Sequence, residues 1–282
     1  MTTRIAVPSK GRLQEGTLVA LRDAGLQFES TDRALSVPVR NADIELLFVR
    51  TEDIPELVSD GVADLGITGQ DLLAEFDGDL TELVELGYGR CRLAAAVPRD
   101  DAAEKLEDLA GRRLATSHPN TTRAVLAERS IDATVVALRG SVEVAPKLGV
   151  ADAIVDLVSS GSTLLQNGLR EVGTILDSQA VLVVRPERVD ETVVQRLATS
   201  LASVVQARRQ RYVLLNAPAE RVEEIVALMP GLASPTVVPE ADAAFVAIHS
   251  VVERDAVWDL LPRLRDAGAT GILVLRIEQM VA

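Results

Sequence analysis

Two aspartates, Asp152 and Asp156, precede the turn Ser159-Ser160-Gly161-Ser162-Thr163, in which every residue but the glycine carries a hydroxyl. The residues between them and up to Val158 are apolar enough for a strand, and the turn opens what reads as a helix through Leu164 and Leu165. Such a turn aims several backbone N–H groups and hydroxyls at one point, where a helix N-terminus adds partial positive charge. A phosphate monoester fits that point. Four hydroxyl residues about one glycine exceed what a helix cap requires. Asp152 and Asp156 are four apart, so both face one side of a strand, and two buried carboxylates are costly without partners. The hydroxyls of a sugar carrying the phosphate, or a magnesium ion, would be those partners. A strand that stops before Asp156 would leave it in water instead. The pattern is that of a phosphosugar site.

Other residues of chemical interest stand at turn positions. Lys10 and Arg12 flank Gly11 directly after an apolar stretch, Ile5-Ala6-Val7-Pro8, where ligands gather in open α/β sheets. Arg50 and Asp71 hold similar places, Arg50 as a candidate pyrophosphate or triphosphate contact, and Glu143 follows Gly140-Ser141. Each alone reads as readily as a solvated charge. His118 and His249 are the two histidines, unlinked in sequence, and make neither a metal site nor a triad. Trp258 reads as packing for the last part of the chain.

The bulk properties bound the function. With 282 residues and 48% apolar composition, the chain is long enough for two or three compact units. No apolar run approaches the ~20 residues of a membrane span, and the first strand begins at once, without a secretory signal. Cys91 is the one cysteine, which excludes an internal disulfide and a zinc cluster. A cytoplasmic, soluble protein is expected. The net charge of −13 argues against nucleic acid as a partner. Lys10, Lys105 and Lys147 are the only lysines. Acid-rich, lysine-poor surfaces suit a cytosol of high salt, and a GC-rich genome would bias composition the same way.

The elements must place these residues. Strand and helix signals alternate over the first ~90 residues, as a parallel sheet with covering helices requires. Ile5–Pro8, Ile44–Val49 and Asp64–Ile67 read as strands, with Thr51 capping a helix after the second. A second unit begins near Leu93, with a helix over 102–109, strands at 113–116 and 133–136, and a helix over 122–129. Gly61-Val62-Ala63-Asp64-Leu65-Gly66-Ile67 echoes Gly149-Val150-Ala151-Asp152-Ala153-Ile154-Val155, which fits two similar lobes facing across a cleft or a chance match in a Val- and Ala-rich chain. Ala180–Val184 is expected to cross back to the first lobe. A long helix, 191–210, leads to strands and helices in the order βαββαβ, the ferredoxin-like arrangement of small regulatory domains.

With these pieces placed, the chain resembles the ATP phosphoribosyltransferase family in its long, histidine-regulated form. The resemblance runs over essentially the whole length and rests on ordered blocks: Pro8-Ser9-Lys10-Gly11-Arg12-Leu13, Asp64 to Leu72, Arg113 to Thr116 with Pro119-Asn120, Gly140-Ser141-Val142-Glu143, and Asp152 to Thr163 with Asn167-Gly168-Leu169. The last block is the most specific. His118 departs from the family's Tyr before Pro-Asn.

The resemblance implies an α/β fold of two periplasmic-binding-protein-like lobes, 1–92 with 174–206 and 93–173, followed by an ACT-like regulatory domain over 207–282. It implies that adenine N1 of ATP attacks C1′ of 5-phosphoribosyl 1-pyrophosphate (PRPP), releasing pyrophosphate, as the first step of histidine biosynthesis. Ser159, Ser160, Gly161, Ser162 and Thr163 would then hold the 5-phosphate, with Asp152, Asp156 and Glu143 on the ribose or on Mg2+ held by the two aspartates. Lys10, Arg12, Arg50 and Asp71 would serve ATP or pyrophosphate. Asn216, Leu232, Ser234 and Thr236 would receive histidine as inhibitor, Asn216 standing where the family can carry an acidic residue. A homo-oligomer, dimers assembling into hexamers, is implied as well.

Three rivals are weaker. A solute-binding protein would carry an export signal and no βαββαβ tail, and a prephenate dehydratase would show a Thr-Arg-Phe segment, absent here. A phosphoribosyltransferase for another base shares the phosphate turn but not the first-lobe blocks.

Overall fold

A computed structural model describes residues 2–29, 34–229, 231, 234–242 and 244–281. The chain forms two compact units, 1–22 with 26–198 and 23–25 with 199–282. The division falls inside a helix.

The first unit holds two sheets. Strands β1 (Thr3–Pro8), β2 (Ser36–Pro38), β3 (Ile44–Val49), β4 (Leu65–Gly69) and β5 (Thr81–Glu85) belong to the first. The second contains β6 (Cys91–Pro98), β7 (Arg113–Thr116), β8 (Thr134–Ala137), β9 (Ala153–Val158) and β10 (Leu169–Ser178). After the single residue Gln179, β11 (Ala180–Val184) returns to the first sheet, as the sequence suggests.

The strand orders are β2-β3-β1-β4-β11-β5 and β10-β6-β9-β7-β8. Apart from the short edge strand β2, one plan serves both. Three parallel strands lie side by side, β3-β1-β4 or β8-β7-β9. An antiparallel strand, β11 or β6, is inserted next to them, and an outer strand, β5 or β10, completes the sheet. Two lobes of the same build therefore make up the unit, and the aspartate-bearing segments that echo each other in sequence lead into corresponding strands, β4 and β9.

The lobe boundaries need correction. The second sheet starts at Cys91, and β10 continues to Ser178 instead of leaving the lobe at 174. Gly173 is a packing residue inside that strand. A Cβ on it would come within 2.6 Å of the Leu106 side chain, and register shifts on either side carry the strand past it.

Helices α1 (Gln14–Asp23), α2 (Ile54–Ser59), α3 (Gln70–Glu75), α4 (Pro119–Glu128) and α5 (Ser162–Gln166) join the strands of the two lobes. Strand β6 shows why both faces are covered. Leu93, Ala95 and Val97 pack with Leu106, Leu109 and Leu126, while Ala94 and Ala96 pack with Val142, Ala145 and Leu164. On the first sheet, a Cβ on Gly66 would meet Ile54 and Val58 of α2 at 2.5 and 2.8 Å, so α2 lies directly on β4. The helix expected over 102–109 is a 3-10 turn, Leu106–Leu109. The carboxylates of Asp101 and Asp108 accept the N–H groups of Ala103, Glu104 and Lys105, the local competition that disfavours helix. Thr51 begins a 3-10 turn before α2, and no side-chain cap forms there.

The helix that leads out of this unit is α6 (Thr192–Arg209), with Val194, Leu197, Leu201, Val204 and Ala207 buried along one stripe. In the second unit, β12 (Gln210–Pro218), α7 (Val222–Leu228), β13 (Thr236–Pro239), β14 (Phe245–Glu253), α8 (Val257–Asp266) and β15 (Thr270–Arg276) form an antiparallel sheet of order β13-β14-β12-β15. This is the βαββαβ arrangement read from the sequence. Val213, Leu215 and Ala217 of β12 alternate toward a core with Ile225, Leu260 and Leu264 of the helices. Trp258 contributes nothing to that core: it is 83% exposed on α8, so its reading as packing is overturned. No helix among the described residues is long and apolar enough to cross a membrane.

Candidate active site

In each lobe the residues of interest sit at the C-terminal ends of the three parallel strands, the place where open α/β sheets bind ligands. In the second lobe, β7 runs into His118, the segment after β8 carries Glu143, and β9 ends with Asp156 and the hydroxyl turn. In the first, β1 leads to Lys10 and Arg12, β3 to Arg50, and β4 to Asp71.

The turn is built as the sequence suggests. Val158 and Leu164 are buried and anchor its two ends, leaving Ser159, Ser160, Ser162 and Thr163 exposed between them. Gly161 adopts φ +78°, the left-handed region that glycine occupies without strain. The hydroxyls of Ser160 and Ser162 lie 3.0 Å apart, and the Leu165 N–H reaches back to the Gly161 carbonyl at 3.1 Å.

Asp156 is half-buried beside this turn, and its Oδ1 accepts the N–H of Leu157 at 2.8 Å. Burial raises the pKa of this carboxylate, and the negative charge of Glu143 adds to the effect. Its hydrogen bond to Leu157 and the field of His118 oppose the rise. Glu143 lies in a short 3-10 turn, Val142–Val144, that follows the left-handed residue Ser141. Two carboxylates that repel each other, one of them desolvated, form a site that a cation or a ring of sugar hydroxyls would relieve.

Asp152 does not join them. It lies just before β9, at the far end of the strand from the hydroxyl turn, and its carboxylate accepts the backbone N–H of Arg113 at 2.8 Å and its Nη2 at 2.9 Å. The expected pairing of Asp152 with Asp156 as catalytic and metal-binding partners is thus corrected. The strand holds one of them at each end. Among the described residues no group of three or more His, Cys, Asp or Glu side chains is arranged to hold a metal ion by itself.

Asp71 also differs from its expected place on a nucleotide surface. Its side chain is 1% exposed. Oδ1 accepts a hydrogen bond from Arg12 Nη2 at 2.9 Å and another from the Ser178 hydroxyl, while Oδ2 lies 3.5 Å from His118 Nε2. Burial opposes its charge, but the partners His118, Ser178 and Arg12 outweigh it and hold the carboxyl below the usual range. A buried anion of this kind is no ligand for a triphosphate. Lys10, Arg12 and Arg50 are exposed, with the Arg12 side chain itself partly covered.

His118 and Glu75 are functional candidates that the sequence reading passed over. His118 is buried and stands between Asp71 of one lobe and the surroundings of Asp156 in the other. Glu75 of the first lobe accepts the N–H groups of Asn120 and Thr121 at 2.9 Å each, capping α4 of the second. The departure from Tyr at 118 marks the first in the sequence, but nothing marks the second.

In the second unit, Asn216 and Thr236 share the sheet face opposite the helices but lie two strands apart, separated by β14. Thr236 is in register with His249 and Asn216 with Ala247. Ser234 lies two residues before the start of β13, and Leu232 lies outside the described residues.

A family model described as ATP phosphoribosyltransferase matches residues 50–203, and one described as the HisG C-terminal domain matches residues 207–279. The chain belongs to the ATP phosphoribosyltransferase family. Relatives named ATP phosphoribosyltransferase include one from Gemmatimonas aurantiaca, 46% identical over 99% of both chains. Another, from Halorubrum lacusprofundi, is 45% identical over 99% of both. Among solved structures, the ATP phosphoribosyl transferase (HisG:HisZ) complex from Thermotoga maritima matches with a TM-score of 0.59 and 28% identity, covering 71% of this chain and 98% of that one. With both parts of the family present, the chain is the long form of this pentosyltransferase, the enzyme that opens histidine biosynthesis.

Proposed function

We propose that this ATP phosphoribosyltransferase holds PRPP on the second lobe, with the 5-phosphate at Ser159–Thr163 and the ribose against Asp156 and Glu143. The observation that carries the reading is the desolvated Asp156 carboxylate at the foot of an exposed hydroxyl turn, beside a second carboxylate. Ribose hydroxyls donate to such a pair, which orients C1′ toward the other lobe.

Lys10, Arg12 and Arg50 carry the opposite charge at the strand ends of the first lobe. They suit the phosphates of ATP and the departing pyrophosphate. Adenine N1 already offers a lone pair, so the reaction needs alignment and charge neutralisation more than a general base. Mg2+ fits the Asp156–Glu143 pair, because it is commonly held by one or two carboxylates together with substrate phosphates, and it would supply charge neutralisation on the pyrophosphate. As positive charge develops at C1′, the carboxylate of Asp156 stabilises it, and closure around the sugar keeps water from competing with adenine.

Histidine as an inhibitor bound near Asn216, Ser234 and Thr236, self-association into dimers and hexamers, and a cytoplasmic location belong to the same proposal. The Thermotoga maritima relative is described as a complex, which supports assembly of some kind.

The test is pyrophosphate release on mixing the protein with ATP, Mg2+ and PRPP, repeated with Asp156→Ala. Release that depends on all three and is lost in the variant is expected. Near-normal turnover by Asp156→Ala would defeat the assignment.

A further inference from the structure

We infer that Ser178 and Asp71 act as positioning residues that present the Arg12 guanidinium to the departing pyrophosphate, without touching substrate themselves. The inference rests on the proposed role of Arg12.

Arg12 follows Gly11, whose φ of +85° turns the chain after β1. Its guanidinium has five N–H donors. Nη2 gives one to Asp71 Oδ1 at 2.9 Å, and Nη1 gives another to the carbonyl of Gly89. The remaining donors stay available on a partly exposed side chain. An unheld arginine samples many rotamers, and ordering it costs conformational entropy. Here two fixed acceptors on different segments define its plane before any ligand arrives.

Asp71 is itself fixed. Ser178, buried at the end of β10, accepts the Asp71 backbone N–H at 3.0 Å and donates its hydroxyl to Oδ1 of the same residue. One residue on, the Gln179 carbonyl accepts the Gln70 N–H at 3.0 Å. The start of α3 is thereby tied to the segment where the chain crosses between lobes. Gly69 leaves the space this requires: a Cβ there would come within 2.2 Å of Asp71 Oδ1 and 3.4 Å of Arg12 Nη2. Serine, aspartate and arginine thus form a chain of contacts whose accessible end is the guanidinium.

Steady-state kinetics of the full-length protein test this, with thermal melting to confirm that each variant is folded. Ser178→Ala removes the hydroxyl's bond to the Asp71 carboxylate and its bond from the Asp71 backbone N–H, and is expected to lower kcat about tenfold, with KM for ATP and PRPP changed less than about twofold. Ser178→Thr keeps the hydroxyl and should restore most of the turnover. In the Arg12→Ala background, adding Ser178→Ala should cause no further loss, because the serine acts through the arginine. An undiminished kcat in Ser178→Ala, or losses that add in the double variant, would overturn the inference. Full turnover by Arg12→Ala would instead remove the functional reading on which it stands. Asp71→Asn, close in shape, should fall with Ser178→Ala, and parental turnover by it would also count against the clamp.

Discussion

Asp64 and Asp152 occupy the same place in two different sheets. Each immediately precedes the third parallel strand of its lobe, and each pairs with the arginine of the neighbouring first strand. Arg4 donates its backbone N–H to Asp64 Oδ2 at 2.7 Å and accepts the Asp64 N–H at 2.8 Å. Arg113 donates its backbone N–H to Asp152 Oδ2 at 2.8 Å and accepts the Asp152 N–H at 2.8 Å. The short sequence echo between the two segments thus has a structural meaning, which is to lock the entry of a strand at the end of the sheet opposite the candidate site.

Asp152→Asn is therefore expected to leave turnover close to that of the parent while lowering stability by about 1 kcal/mol, since solvent screens the half-exposed pair with Arg113. Asp64→Asn should behave alike in turnover. Parallel melting and initial-rate measurements check this. A tenfold drop in rate without a change in melting would return Asp152 to the catalytic set.

Asp156 should show the opposite trade. Its raised pKa means that ionisation opposes folding, a cost absent below the unfolded value and complete above the folded one. Asp156→Asn should melt at or above the parent temperature at neutral pH and lose that advantage in acid, while turnover falls roughly a hundredfold or more. A variant that melts well below the parent at neutral pH would show that the carboxylate supports the fold.

Asp71 carries the reverse sign. Because its folded pKa is depressed, its contribution is fully present above the ordinary carboxylate value of about 4 and is lost as pH falls through the folded pKa. Asp71→Asn should be less stable than the parent at neutral pH and should lose less on acidification. Melting temperature followed from neutral to acid pH measures both slopes, and parallel curves would refute the assignment.

The hydroxyl turn can be probed through its backbone. Only a Val158 methyl, at 3.9 Å, lies near a Cβ placed on Gly161, so the effect of Gly161→Ala comes from φ alone and costs about 1 kcal/mol. KM for PRPP should rise severalfold. Gly161→Asn, which tolerates the left-handed region better, should recover part of it. An unchanged KM in both would place the phosphate elsewhere.

Local chemistry is what the sequence made legible. The hydroxyl turn, the strand ends and the βαββαβ order follow from periodicity and turn residues, and the structure has them at the expected positions. Asp152 misled because a period of two says which side a residue faces and nothing about which end of the strand it occupies. Asp71 misled because a partner of its buried carboxylate, Ser178, is more than a hundred residues away in the chain. Nothing in the local pattern of Asp177-Ser178-Gln179 announces that partnership. The strands β2, β5 and β10 are absent from the sequence pattern: β2 has only three residues, and β5 and β10 are half-buried over most of their length, with little apolar alternation to mark them.

The insertion of β11 between β4 and β5 has a consequence for biogenesis. Among the described residues, every strand of the second sheet lies in one continuous stretch of chain, whereas β5 finds its only sheet neighbour in β11. A ribosome therefore delivers everything the later lobe needs before it delivers the last piece of the earlier one. The lobe that is translated first is the last to be finished, and until Val184 emerges the edge of β4 stands unzipped.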